Sequence, residues 1–199
     1  QSVYLKSSAP MSDQRISELL SSVSAQQFDD FFSRRHDAKL KRSEGSALSY
    51  ALDNTSIATY SRTIADAAYG YAKRDPELKQ INYTFVCDQN DGEIVFAHTY
   101  EGSINDVTAF SDIIYRMKNA KFNLDNVVLV TDRGYSSLLN VQKLINLDMK
   151  FIQGVTLVED SVKRQIDKAR ASLQDVCFFD AGLKVYARTY EEPWQQITE

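Results

Sequence analysis

Cysteine and histidine are scarce. The 199 residues hold two of each, Cys87 with Cys177 and His36 with His98. Neither pair has the close spacing of a zinc site, and two cysteines build no disulfide framework. Long apolar runs are missing too. No stretch approaches the length of a membrane span, and the first residues lack the pattern of a secretory signal. Excess positive charge is also absent, with 23 Lys and Arg against 27 Asp and Glu, a net charge of -4 and a pI of about 5.3. A domain that grips nucleic acid is usually basic, so this balance counts against such a role. A cluster of metal-binding carboxylates would lower the net charge by itself. No internal repeat or low-complexity tract occurs. What remains is an ordinary globular composition, 43% hydrophobic and 25% charged, which reads as a soluble cytoplasmic protein. The length suits one domain, or one and part of a second. The ends at Gln1 and Glu199 read as cut from something longer.

The most informative stretch is Val127-Val128-Leu129-Val130-Thr131-Asp132-Arg133-Gly134-Tyr135. Its first five residues are apolar or β-branched without polar alternation, as in a central strand buried on both faces. An acid follows at once, then Ser136 and Ser137 offer caps for a helix. A carboxylate at the end of a buried strand is costly unless a cation sits on it, so Asp132 is a candidate metal ligand.

In chain order, residues 1–10 are polar and read as frayed. Asp13 reads as the N-cap of a helix carrying Ile16, Leu19, Leu20 and Val23, and a second short helix carries Phe28, Phe31 and Phe32. These aromatics read as a stripe docking on the main domain, with a nucleic-acid stacking surface as the alternative. Arg34, Arg35, His36, Lys39, Lys41 and Arg42 form the densest basic run, either a solvated linker face or a contact for phosphates. Residues 48–60 read as a long strand with Leu48, Tyr50 and Leu52 on one face and Ala51 and Asp53 on the other. Residues 61–80 read as irregular. Residues 81–87 and 94–100 form a hairpin around Asp88-Gln89-Asn90-Asp91-Gly92, where Asp88 and Asp91 are turn residues and His98 is a packed or surface residue. Asn105 caps a helix bearing Val107, Phe110, Ile114 and Met117. After the 127–131 strand come a helix with Leu138, Val141 and Ile145 inward, a strand over 151–155, a helix marked by Val162, Ile166, Ala169 and Leu173, and a hairpin around Asp180-Ala181-Gly182.

Three antiparallel strands followed by α/β units make a mixed sheet flanked by helices. The strand after the first helix of such a sheet commonly returns beside strand one, which makes Asp53 and Asp132 neighbours. Two adjacent carboxylates must share a proton or a cation. With hard oxygen donors and no nearby His or Cys, that cation is Mg2+ or Mn2+, the setting of phosphoryl transfer, where paired ions clamp the attacking and leaving oxygens. Arg133 either faces a phosphate or pairs with Asp132.

These elements carry a resemblance. Leu52-Asp53-Asn54-Thr55-Ser56, Gly102-Ser103-Ile104-Asn105-Asp106 and Thr131-Asp132-Arg133-Gly134-Tyr135, in this order, resemble a bacterial insertion-sequence transposase of the DDE class. The resemblance implies a ribonuclease H-like core. It makes Asp53 and Asp132 the first two metal-binding acids for two Mg2+ or Mn2+ ions, and gives Asp106 a capping role. It also implies DNA partners, namely transposon ends and target, possible homodimer formation in the full-length protein, and nicking followed by strand transfer. The implied division is a helical segment over 1–45, an incomplete core over 46–157, and the start of an inserted β-containing region over 158–199.

The chain departs from that pattern in its third acid. The family places a glutamate on a late helix in a tyrosine-arginine-glutamate-lysine pattern, and Glu159, Glu191, Glu192 and Glu199 all lack it. Glu159 heads a helix, where dipole complementarity accounts for it. Trp194 and the hairpin before it are assigned to the start of the insertion, and the third acid to a position beyond Glu199. A fragment of this kind binds metal weakly and cuts nothing. Two other readings stay open: a metal-dependent nuclease without strand transfer, and a catalytically silent descendant that binds DNA or a protein.

Overall fold

Alternating burial along three long strands and near-continuous burial along a short fourth produce one five-stranded mixed sheet. The computed structural model describes residues 12–71, 75, 77–157 and 160–191. Expectations placed on residues 1–10, Glu159, Glu192, Trp194 and Glu199 fall outside them.

The sheet is built from β1 (Leu48–Thr59), β2 (Lys79–Asp88), β3 (Ile94–Glu101), β4 (Val127–Thr131) and β5 (Lys150–Gln153), in the spatial order β3-β2-β1-β4-β5. The first three are antiparallel neighbours, whereas β4 runs parallel to β1 and β5 parallel to β4. This is the mixed sheet expected from the order of elements. Chain reversal through a helix forces the parallel return beside β1.

The described residues also form α1 (Asp13–Ser22) and α2 (Ala25–Arg42) before the first strand, then α3 (Asp106–Asn119), α4 (Leu138–Asn146) and α5 (Asp160–Ala169). Ser12, rather than Asp13, caps α1, and Ser24 with Gln27 forms a reciprocal capping box at α2. Asn105 and Ser137 cap α3 and α4. Helix α3 lays Phe110, Ile113, Ile114 and Met117 against Tyr50, Phe96 and Leu129, which together form the centre of the core. The inward face of α4 is turned from the one expected. Leu138 and Ile145 are exposed, while Asn140 and Leu144 are buried. Asn140 donates to the carbonyls of Val107 and Tyr135, so an amide binds α4 to its neighbours where an apolar stripe was expected. Two two-residue strands, β6 (Phe179–Asp180) and β7 (Val185–Tyr186), form a separate small sheet at the expected hairpin. Among the described residues no helix is long and apolar enough to cross a membrane.

The basic run is no linker. It lies inside α2, which spans 18 residues. Phe32 is buried against Phe96, whereas Phe28 and Phe31 stay about half exposed. His36 is fully buried and stacks on Phe122. Its Nε2 lies 2.7 Å from the Asn123 carbonyl oxygen and therefore carries the hydrogen, and its Nδ1 accepts from the Tyr50 hydroxyl at 2.9 Å. Lys39 is buried as well. Its ammonium meets Asp91 at 2.6 Å, Glu93 at 2.9 Å and Asp88 at 3.0 Å. Arg35 pairs with Glu93. Asp88 and Asp91 also accept turn N–H groups from Asn90 and Glu93, in keeping with their expected turn role.

Candidate metal centre

The register of β1 on β4 pairs Leu52 with Thr131. One residue further along each parallel strand come Asp53 and Asp132, so the two acids leave adjacent strands at the same end. Both are exposed. Each is oriented by a local backbone donor. Asp53 Oδ1 accepts the Asn54 N–H at 2.7 Å, and Asp132 Oδ1 accepts the Gly134 N–H at 2.8 Å. The second pair closes a short 3-10 turn, Arg133–Tyr135, which Asp132 caps.

Asp106 opens α3 and joins the site from below. Its Oδ1 accepts from Asn54 Nδ2 and, at 3.4 Å, from the Tyr100 hydroxyl. A Cβ on Gly134 would lie 3.0 Å from Asp132 Oδ1 and 3.5 Å from Asp106 Oδ2. Asp106 therefore occupies more than a helix-capping place. The Tyr135 ring is buried against Phe110, and its hydroxyl has no hydrogen-bond partner among the described residues. Burial raises this phenol above the ordinary tyrosine range, and the charges of Asp106, Asp53 and Asp132, with Tyr100 beside them, raise it further. Tyr100 is pushed up to about 12, first by burial and then by the neighbouring Asp106 carboxylate. Burial also raises the Cys87 thiol, with Asp53 as the second cause. These shifts place Tyr135 and Cys87 within the field of the acids.

The donor set suits a hard divalent cation. Asp53 and Asp132 each keep one carboxylate oxygen outside their backbone hydrogen bond, and the buried Asn54 Oδ1 has no hydrogen-bond partner among the described residues. All of these atoms are oxygens. Among the described residues, no group of three or more His, Cys, Asp or Glu side chains could hold a metal ion, so no third acid completes the pair there. Arg133 is exposed and makes no ion pair among the described residues, so it does not neutralise Asp132.

The remaining basic residues divide. Lys39 spends its three hydrogens on three carboxylates and has none for a phosphate, and Arg35 is engaged by Glu93. Arg42 lies 3.9 Å from Glu93 but is largely exposed. Arg34 and Lys41 form no ion pair among the described residues.

Asn54 and Tyr135 stand in the motifs quoted from the sequence but were given no role there, and Tyr100 and Gly154 were not singled out as site residues. The signal for Asn54 and Tyr135 was their place beside Asp53 and Asp132. Tyr100 and Gly154 had none, because they come from elements distant in sequence. A Cβ on Gly154 would lie 2.9 Å from the Arg133 backbone nitrogen, so the chain after β5 packs tightly on the loop that carries Asp132.

No curated protein matches the sequence. Among solved structures the chain is similar to a piggyBac transposase synaptic complex with hairpin DNA, with 15% identity and a TM-score of 0.45 over 81% of this chain and 34% of that one. It is also similar to the Mos1 mariner paired-end complex with Mn, with 13% identity and a TM-score of 0.37 over 82% of this chain and 64% of that one. A third is an endonuclease V from Ciona intestinalis in complex with inosine-containing DNA, with 13% identity and a TM-score of 0.33 over 81% and 69%. The chain thus spans about a third of the piggyBac protein's length and less than two thirds of the Mos1 protein's. The family described as Transposase DDE domain matches residues 45–194, a span that holds Asp53, Asp106 and Asp132. Transposases of the DDE class use divalent metal ions. With that match covering most of the sequence, the chain belongs to the transposase DDE domain family.

Proposed function

We propose that this chain supplies two of the three metal-binding acids of a DNA transposase catalytic domain, Asp53 and Asp132. The observation that carries this reading is the parallel register of β1 on β4, which brings the two acids side by side on adjacent strands. Mg2+ or Mn2+ bound there, as two ions in the complete site, would supply Lewis-acid activation of water and then of a DNA 3′-hydroxyl. In the full-length protein this chemistry nicks the transposon ends and joins them to target DNA.

The chain's own residues prepare the site. The Asn54 and Gly134 N–H groups hold one oxygen of each acid and leave the other outward. Arg133, exposed and without an ion pair among the described residues, contacts a backbone phosphate beside the acids, and Arg34, Lys41 and Arg42 on α2 provide a second, weaker phosphate contact. The third acid comes from outside the described residues. Residues 46–157 form the part of the core present here, residues 1–45 a helical lead-in, and residues 158–199 the start of an inserted region. The full-length protein acts on DNA as a homodimer. The 199-residue chain, with two acids of three, binds the ion weakly and leaves DNA uncut.

Mn2+ titration of the intact chain tests the reading, followed by the magnetic resonance signal of the free ion. Asp53→Ala and Asp132→Ala should each abolish most of the binding. Binding equal to that of the parent in both variants would overturn it.

A further inference from the structure

Both candidate ligands are oriented by the backbone N–H of a neighbouring residue, Asn54 for Asp53 and Gly134 for Asp132. Asn54 lies on β1 and Gly134 in the 3-10 turn after β4, and one side chain lies between them. Asp106 Oδ1 accepts the Asn54 side-chain amide, and its Oδ2 faces Gly134, where a Cβ would lie 3.5 Å away. The same carboxylate accepts the Tyr100 hydroxyl from the end of β3.

We infer that Asp106 is the positioning residue of this site, setting the separation of Asp53 and Asp132 by tying Asn54 and standing against Gly134. This rests on the metal-site reading above and deepens it. The physical logic is that of an outer shell. A ligand held by one short hydrogen bond is only as fixed as the donor's backbone, and β1 beyond Leu52 is half open to solvent. Asn54 is the point where that open stretch is tied to α3. Asp106 itself does not touch the ion in this scheme, because among the described residues no group of three or more His, Cys, Asp or Glu side chains could hold a metal ion, so it does not join Asp53 and Asp132 as a third ligand. Outer-shell partners of this kind typically change metal affinity by about 10–100-fold when removed.

Four variants of the whole chain test it by Mn2+ affinity, measured at a temperature where circular dichroism shows each one folded. Asp106→Ala should weaken binding about 10–100-fold. Asp106→Asn keeps an oxygen for Asn54 and Tyr100 and should retain most of the affinity. A loss as large as that of the alanine variant would mean that charge alone acts, and would overturn the positioning role. Asn54→Ala should match Asp106→Ala, and the double variant should be no weaker than either, because both cut one tie. Losses that multiply in the double variant would overturn the role. If Asp106→Ala fails to fold, Asn54→Ala and Asp106→Asn decide by the same comparison. Parent-like affinity in Asn54→Ala and Asp106→Ala, with binding lost in Asp53→Ala and Asp132→Ala, sinks the positioning role alone. Parent-like affinity in the last two sinks the site itself.

Discussion

At the scale of the residue, the site depends on close approach as much as on charge. Gly154 illustrates this, since its backbone N–H donates to the Thr131 carbonyl at 3.0 Å and its Cα faces the Arg133 nitrogen. Gly154→Ala must push that backbone away. The expected cost is about 1–3 kcal/mol of stability, the usual range for overpacking, together with weaker Mn2+ binding because Asp132 moves with the loop. Thermal melts and a metal titration on the same variant check both effects. A normal melting temperature with normal affinity would show that the contact relaxes freely. Arg133 offers a second test. As an exposed cation that makes no ion pair among the described residues, it can meet a phosphate, so Arg133→Ala should reduce the salt slope of DNA binding by about 1. An unchanged slope would place this side chain away from DNA.

At the scale of the element, α2 is held by two buried polar arrangements that respond differently to acid. Lys39 and Glu93 lie in one of them, with Asp91 more exposed. Burial pulls the Lys39 ammonium down, but hydrogen bonds from Asp91, Glu93 and Asp88 more than offset this and hold it above the usual lysine range. Lys39 in turn holds Asp91 and Glu93 below the carboxylate range. Their contribution is therefore present above about pH 4.5 and lost as pH falls further. Lys39→Ala leaves three carboxylates together and should cost about 3 kcal/mol, as expected when one partner of a buried pair is removed. Urea melts at neutral pH measure it. His36 acts at higher pH. Burial lowers its pKa, so the unfolded chain takes up the proton first, and stability falls as pH drops below about 6.5. His98 is lowered too, by burial and then by Arg116. His36→Gln should flatten the fall in stability between about pH 6.5 and 5, and removing both histidines should abolish it. A slope that survives both substitutions would assign it to other groups.

The strands and their order were legible because a period of two, turn residues and the parallel-return rule all act locally or through topology. The neighbouring placement of Asp53 and Asp132 was legible for the same reason, Asp132 being the acid where a buried strand ends and Asp53 an acid in the middle of a strand that otherwise buries its faces. The role of Lys39 was not legible, because its partners lie on a hairpin distant in sequence. The same holds for Asp106, whose contacts with Asn54 and Tyr100 join three elements. Helix α4 was misphased because Asn140, a polar residue, is the one turned inward. Patterns of apolar residues carry no mark of such buried amides.

At the scale of the whole molecule, the charge balance sets how the chain meets DNA. A net charge of -4 gives no general attraction to a polyanion, and the two proposed ligands present negative charge where a phosphate must approach. Occupancy by a divalent ion cancels that local charge, so DNA affinity and metal occupancy should be coupled. The interaction of two unit charges about 4 Å apart in water is about 1 kcal/mol, and salt screens part of it. Neutralising two carboxylates should then raise affinity for a short duplex by roughly tenfold. Fluorescence anisotropy with and without Mg2+, at matched ionic strength, measures the coupling. The Asp53→Asn/Asp132→Asn double variant should bind DNA more tightly than the parent without metal and show no response to Mg2+, since the repulsion is removed along with the ligands. A parent-like gain from Mg2+ in that variant would locate the ion's effect elsewhere on the protein or on the DNA. A parent that ignores Mg2+ would separate metal binding from DNA binding altogether.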